Sequence, residues 1–302
     1  MLTFGPVPSR RLGNSLGINN IPPKICSYSC IYCQLGRTKK IQVHRREFYS
    51  IDEIIRSVEE RLERVKNVDY LAFVPDGEPT LDMNLGKEID ALKQFGIRIA
   101  VITNSSLIWD EKVREELSKA EWVSLKVDAV SKEIWKKINR PHKALNLEKI
   151  LNGIKEFSKE FVTETMLING VNDNKEELKK IADFLSAVEP KKSYISIPIR
   201  PPAEKWVRHA SEQAINLAYQ IFSERGISVE FLLGYEGNEF AFTGNVEKDL
   251  LSITSVHPMR KDAVEEFLRK AEADWSVIER LIKENKLIEI EYGGNKFYMR
   301  RL

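Results

Sequence analysis

Long apolar runs are missing from this 302-residue chain, and none approaches the roughly 20 residues that a membrane-spanning helix needs. Its opening, MLTFGPVPSRR, lacks the apolar centre of a secretory signal, so a cytoplasmic protein is expected. Cysteine is almost absent: three occur, all within residues 26–33. An odd, clustered set in a cytoplasmic chain excludes a disulfide framework. A large net charge is lacking too, at +2 overall, yet 42% hydrophobic and 30% charged residues exclude a disordered chain. The length suits one large core with a small appendage.

The charge that is present is unevenly placed. Residues 1–50 hold eight Lys or Arg against Glu47 alone, a local +7, while the rest is 39 minus 44, or −5. Such an opening reads either as a solvated basic face or as a site for an anionic substrate or acidic partner. Within it, KICSYSCIYCQLG places Cys26, Cys30 and Cys33 in a C-x3-C-x2-C cluster. Zinc would need a fourth ligand, and His44 is the nearest candidate in sequence. Three thiolates could instead hold three irons of a [4Fe–4S] cluster and leave the fourth iron open as a binding site.

After the cysteines, short apolar runs alternate with amphipathic segments. Strands are expected at 16–21, 70–74, 98–103, 122–127, 162–168, 193–198 and 228–233, with helices at 51–65, 85–95, 110–120, 147–161, 175–188 and 211–225. Ser50 with Glu53 has the form of a capping box, and Gly96 and Gly226 follow helices. This alternation predicts parallel strands joined by right-handed crossovers in a barrel-like α/β fold, with chemistry at the carboxyl ends of the strands. From about Asn245 the pattern changes to two amphipathic helices, 260–271 and 275–285, and a hairpin around Gly293-Gly294. Residues 1–244 therefore read as a core domain and 245–302 as a small winged-helix-like module. Residues 257–302 carry ten Lys or Arg against nine Asp or Glu, too even to predict a phosphate footprint by themselves.

Five polar places fall at expected strand ends. Asp76-Gly77-Glu78-Pro79 is a turn by its composition, or a backbone approach to a ligand with Glu78 accepting from an ammonium group. Asn104 and Ser105 follow a strand as capping residues would. Ser124, Lys126 and Asp128 recur at spacing two, which puts them on one face, directed into the lumen of a barrel. Glu164 alternates with Thr163 and Thr165, and Arg200 stands between Pro198 and Pro201 at another strand exit.

The cysteine spacing, with Tyr32 before the last thiol, resembles the radical S-adenosylmethionine (SAM) superfamily. GEP and the Thr103-Asn104-Ser105 element are similar to that superfamily's SAM-binding Gly-Gly-Glu-Pro and Thr-Asn-Gly, with Asp76 in place of the first glycine. The resemblance covers roughly residues 1–235. It implies a partial (β/α)6-type TIM barrel, a [4Fe–4S] cluster on Cys26, Cys30 and Cys33, and SAM held by the polar residues above. It also implies reductive cleavage of SAM to a 5′-deoxyadenosyl radical and an electron donor of flavodoxin or ferredoxin type. PSRRLGNSLGINN and GEPTL look like the branch containing the tRNA-wyosine base-forming enzymes, although the cysteines of their second cluster are absent here. A tRNA base is the first substrate expectation, a peptide or protein side chain the second. A zinc-stabilised RNA-binding adaptor without catalysis is the alternative from another class.

Overall fold

The computed structural model describes residues 2–234 and 237–301. Strand β1 (Thr3–Ser9) turns back into β2 (Gly13–Ile18), and the short pair β3 (Ile25–Cys26) and β4 (Lys40–Ile41) brackets the cysteine loop. Then come α1 (Ile51–Leu62), β5 (Tyr70–Phe73), α2 (Leu85–Leu92), β6 (Arg98–Thr103), α3 (Glu111–Leu117), β7 (Trp122–Lys126), α4 (Lys132–Asn139) and α5 (Leu147–Lys155). The barrel finishes with β8 (Val162–Met166), α6 (Lys175–Val188), β9 (Lys192–Ser196), α7 (Glu212–Ser223) and β10 (Val229–Leu232).

Eight of these strands form one curled half-barrel sheet in the order β1-β2-β5-β6-β7-β8-β9-β10. β1 pairs antiparallel with β2, and every later neighbour is parallel. Six strand–helix units start at β2, β5, β6, β7, β8 and β9, which is the partial (β/α)6 barrel expected from the alternation. The outer face buries Leu71, Phe73, Val101, Leu125 and Ile195 against the helices. On the lumen side the register sets small Ala72 beside Ala100, which leaves room inside. The capping box of α1 forms as expected, Ser50 and Glu53 each accepting from the other's backbone N–H.

Several elements escape the periodic reading, the two-residue strands β3 and β4 among them. β1 lies where no strand is expected, its pattern interrupted by Gly5-Pro6 and Pro8. α4 falls where no helix is expected, and it ends at Arg140 in the left-handed region (φ 44°) before Pro141. After β10 the chain forms α8 (Val246–Val256), β11 (Met259–Arg260), α9 (Lys261–Lys270), α10 (Ser276–Lys283), β12 (Leu287–Tyr292) and β13 (Asn295–Arg300). α8 was hidden because its buried positions include Asp249, Ser252, Thr254 and Ser255, which mask the apolar stripe.

The three helices and the sheet β11-β13-β12 make a small winged-helix arrangement. It packs Leu250, Ile253 and Met259 into one apolar cluster with Phe4 and Val7 of β1. A buried ion pair, Arg61 to Asp249 at 3.1 Å, fastens α8 to α1. Among the described residues no helix is long and apolar enough to cross a membrane.

Candidate active site at the mouth of the half-barrel

The loop between β3 and β4 is folded by its own backbone. Cys33 N donates to Cys30 O (3.1 Å), Gly36 N to Cys33 O (3.0 Å), and Thr38 Oγ1 to Tyr28 O (2.7 Å). Trp135 of α4 meets Tyr28 edge-on, with its Nε1 donating to the phenol oxygen at 3.1 Å. This holds all three cysteines, none of them in a disulfide, on the wall of one cavity of about 380 Å³ at the carboxyl ends of the strands. Asp76, Gly77, Glu78, Asn104, Lys126, Glu164 and Arg200 share that wall. Residues spread over 175 positions of sequence thus converge as the strand-end rule expects.

Four expected residues lie behind the wall instead. Pro79 opens a 3₁₀ turn, and its carbonyl accepts from Asn20 Nδ2 (3.2 Å). Ser105 is buried with φ 66°, a left-handed conformation in which glycine would be unstrained. Ser124 is buried deep in β7, below the cavity. Asp128 departs from the face of Lys126 because β7 ends at Lys126, so the period of two no longer applies. Its carboxylate accepts from Tyr32 Oη, Asn139 Nδ2 (2.8 Å) and Met166 N (3.0 Å).

Gly77 and Glu78 also act differently from the first expectation. A Cβ on Gly77 would lie 1.8 Å from Ile25 O, so this glycine makes room for the backbone entering Cys26 rather than for a ligand alone. The Glu78 carboxylate is spent within the protein. It accepts from Thr80 N (3.1 Å), Thr80 Oγ1 (2.6 Å), Thr103 Oγ1 (2.6 Å) and Asn104 N (2.7 Å). Its work is to join the ends of β5 and β6 and aim Asn104, whose Nδ2 reaches Cys26 Sγ at 3.4 Å. Asp76 keeps a freer carboxylate: it is 3% exposed, its Oδ1 has no hydrogen-bond partner, and burial pushes its pKa up to about 7.

A charged chain crosses the lumen. Glu164 accepts from Lys126 Nζ (2.7 Å) and Ser196 Oγ (2.8 Å), and pairs with Arg11 at 2.6 Å. Burial alone would raise the Glu164 carboxyl, but the two cations hold it well below the usual range. Lys126 is raised in turn, Glu164 and Asp128 outweighing its burial. Arg11 was visible in sequence only as part of the basic opening; its partner is 153 residues away. Arg200 is gripped by Gln34 Oε1 (3.2 Å) and the His257 ring (2.8 Å), so the end of α8 forms part of the wall. That contact ties His257 to the site.

The donor set fits an iron–sulfur cube. Tyr28 N and Asn104 Nδ2 point at Cys26 Sγ, and Asn139 Nδ2 points at Cys30 Sγ (3.5 Å), which suits sulfur carrying negative charge. Burial pushes all three thiols up, Cys30 to about 12, so a strongly cationic centre is needed to draw them into the thiolate form. Among the described residues no three His, Cys, Asp or Glu side chains converge closely enough for a single ion. His44 is exposed and off the cavity, so it does not complete a tetrahedral zinc site.

A parallel half-barrel with three free cysteines at its mouth defines a class, and comparison with known proteins agrees. The sequence model of the radical SAM superfamily matches residues 20–185, and the chain belongs to that superfamily. Within it, the chain is 50% identical to UPF0026 protein MJ1312 of Methanocaldococcus jannaschii, over 100% of this chain and 96% of the relative. In fold it is similar to a radical SAM methyltransferase from Sphaerobacter thermophilus (TM-score 0.56, 15% identity, 72% of this chain and 66% of that one). It is likewise similar to TYW1 solved with a lysine-pyruvate adduct (TM-score 0.50, 18% identity, 70% and 73%).

Proposed function

We propose that this chain holds a [4Fe–4S] cluster on Cys26, Cys30 and Cys33, binds SAM beside it, and uses the radical from SAM to modify a tRNA base. The observation that carries the reading is the convergence of three free cysteines on one cavity, with the amides of Asn104 and Asn139 turned toward the Cys26 and Cys30 sulfurs. When bound, the cluster supplies the electron that cleaves the sulfonium of SAM to methionine and a 5′-deoxyadenosyl radical.

The chain's own residues bind and orient. Asp76, with an unsatisfied buried oxygen, is placed to accept from an ammonium group. Lys126 offers a cation to a carboxylate, and Glu164 keeps that cation charged. Tyr28 and Tyr32 wall off water, and Arg200, clamped by Gln34 and His257, faces the space left for an anionic substrate. A tRNA substrate is supported by the likeness to TYW1, by the wyosine-like opening segment and by the +7 charge of residues 1–50.

Anaerobic reconstitution followed by SAM and dithionite should give a brown protein that releases 5′-deoxyadenosine, with Cys30→Ala giving neither colour nor product. Turnover with total tRNA, read by nucleoside mass spectrometry, should reveal a modified base missing in that control. Release of 5′-deoxyadenosine without any altered nucleoside would transfer the substrate to the peptide class. A colourless protein holding one zinc would sink the reading altogether.

A further inference from the structure

The cysteine loop has a second side, turned away from the cavity. Cys26, Tyr28, Cys30, Tyr32 and Cys33 face inward, whereas Ile31 packs outward into a small apolar cluster with Ile138 and Val207. Two backbone bonds seal it there. Ile31 N donates to Ile138 O (2.9 Å) at the end of α4, and Glu204 N donates to Ile31 O (3.0 Å). The end of α4 and the segment 203–209 therefore clamp the loop from outside, one residue from Cys30.

What these two elements present to solvent is cationic. Residues 132–143 hold five Lys or Arg against Glu133 alone, and 203–209 add Lys205 and Arg208. Of the two acids there, Glu133 is exposed, and Glu204 is buried and accepts from Arg37 (2.8 and 3.0 Å) and from Arg140; with Arg37 included, eight cations still face two carboxylates. Within 203–209, Trp206 is 49% exposed, a large ring that folding leaves uncovered. Neither Arg140 nor Trp206 lines the cavity.

We propose that this outer face docks a small acidic one-electron carrier protein. The inference rests on the reading above, in which a cluster sits just inside the loop. A substrate has to enter the cavity and cannot do so through this side. An electron needs no opening, only proximity, and the contact Glu204 N–H to Ile31 O links the face to the residue next to Cys30 by a single hydrogen bond. One electron leaves the reduced carrier and enters the cluster; the carrier is oxidised by one unit, the cluster reduced by one, and no atom moves. The cations steer an acidic partner to the face, and Trp206 offers the aromatic anchor typical of a protein interface.

The double variant Lys137→Glu/Lys205→Glu tests this, since both side chains are exposed and off the cavity. An acidic flavodoxin is the probe: its oxidised form for binding to the cluster-free and the reconstituted chain, its reduced form for the rate at which cluster absorbance bleaches. Binding and bleaching should weaken on the order of tenfold in the variant, and in wild type on raising salt. Trp206→Ala should weaken binding without changing its salt dependence. Release of 5′-deoxyadenosine with dithionite, which needs no docking, should stay at the wild-type level and shows that the site is intact. Equal binding and bleaching by wild type and variant would overturn the proposal, as would no binding by wild type. Loss of tRNA binding by the variant, with the flavodoxin unaffected, would overturn it in favour of a phosphate-binding face. A wild type that binds the flavodoxin but never holds a cluster would instead defeat the reading of function.

Discussion

Single residues in this molecule are most informative where burial and charge conflict. Glu88 is 0% exposed, accepts from Asn20 Nδ2 (3.1 Å) through one oxygen and leaves the other without a partner. Burial and the nearby Asp82, with Glu116 and Glu47 beyond, push its pKa up to about 9. The folded chain therefore holds a proton that the unfolded chain releases near its ordinary value of 4.5. The resulting stability is complete below about pH 4.5 and is lost as pH climbs toward 9, at about 1.4 kcal/mol per unit for this group. Glu88→Gln, which stays neutral, should flatten that fall, so that its advantage over wild type grows between pH 5.5 and pH 8.5 in urea denaturation, by at least about 1 kcal/mol. Parallel profiles would show that Glu88 is ionised in the fold.

At the scale of elements, the cysteine loop depends on a strand end that is remote in sequence. The loop enters at β3, and Gly77 after β5 lets Ile25 O approach to a distance no side chain tolerates. Glu78 N donates to the same carbonyl (3.3 Å). Gly77→Ala should therefore displace Cys26 and lower the iron and sulfide retained on reconstitution by several-fold, with far-ultraviolet circular dichroism unchanged because the half-barrel is built elsewhere. Full iron content in that variant would mean that the loop relocates freely. The GEP motif was legible in sequence, and the need for glycine was legible with it. That the glycine faces a backbone carbonyl rather than only a ligand could not be read, because Ile25 and Gly77 are brought together by the pairing of β2 with β5.

Over the whole molecule, the winged-helix module is bound to the barrel by more than its linker. Arg61 and Asp249 are 8% and 1% exposed, and Thr243 N and Oγ1 both donate to the same Asp249 carboxylate. Breaking a buried pair by removing one partner strands the other charge, which costs about 3–5 kcal/mol, whereas replacing both with apolar residues is often neutral. Arg61→Leu and Asp249→Leu should each lower stability in chemical denaturation and expose the segment near Thr243 to proteolysis. The double variant should recover most of the loss. Additive losses in the double variant would show that the two side chains do not interact. Since Val256 and His257 of this module complete the cavity wall, its detachment would also be felt at the site.

Features that are local and repetitive are legible in the chain read as text. Apolar periods of two and of three to four laid out the six strand–helix units, spacing placed three thiols on one loop, and the strand-end rule drew attention to Asp76, Asn104, Lys126, Glu164 and Arg200. Those signals are legible because each depends on the geometry of one element or one turn. The assembled fold sets which charges meet: Arg11 with Glu164, Arg61 with Asp249, Arg200 with His257. It also turned Asp128 behind the wall, where β7 stops and the alternation loses its meaning. The reason is that a side chain's partner across the lumen is chosen by sheet register, curl and the docking of the last module. Those quantities sum over the whole chain, and no window of sequence contains them.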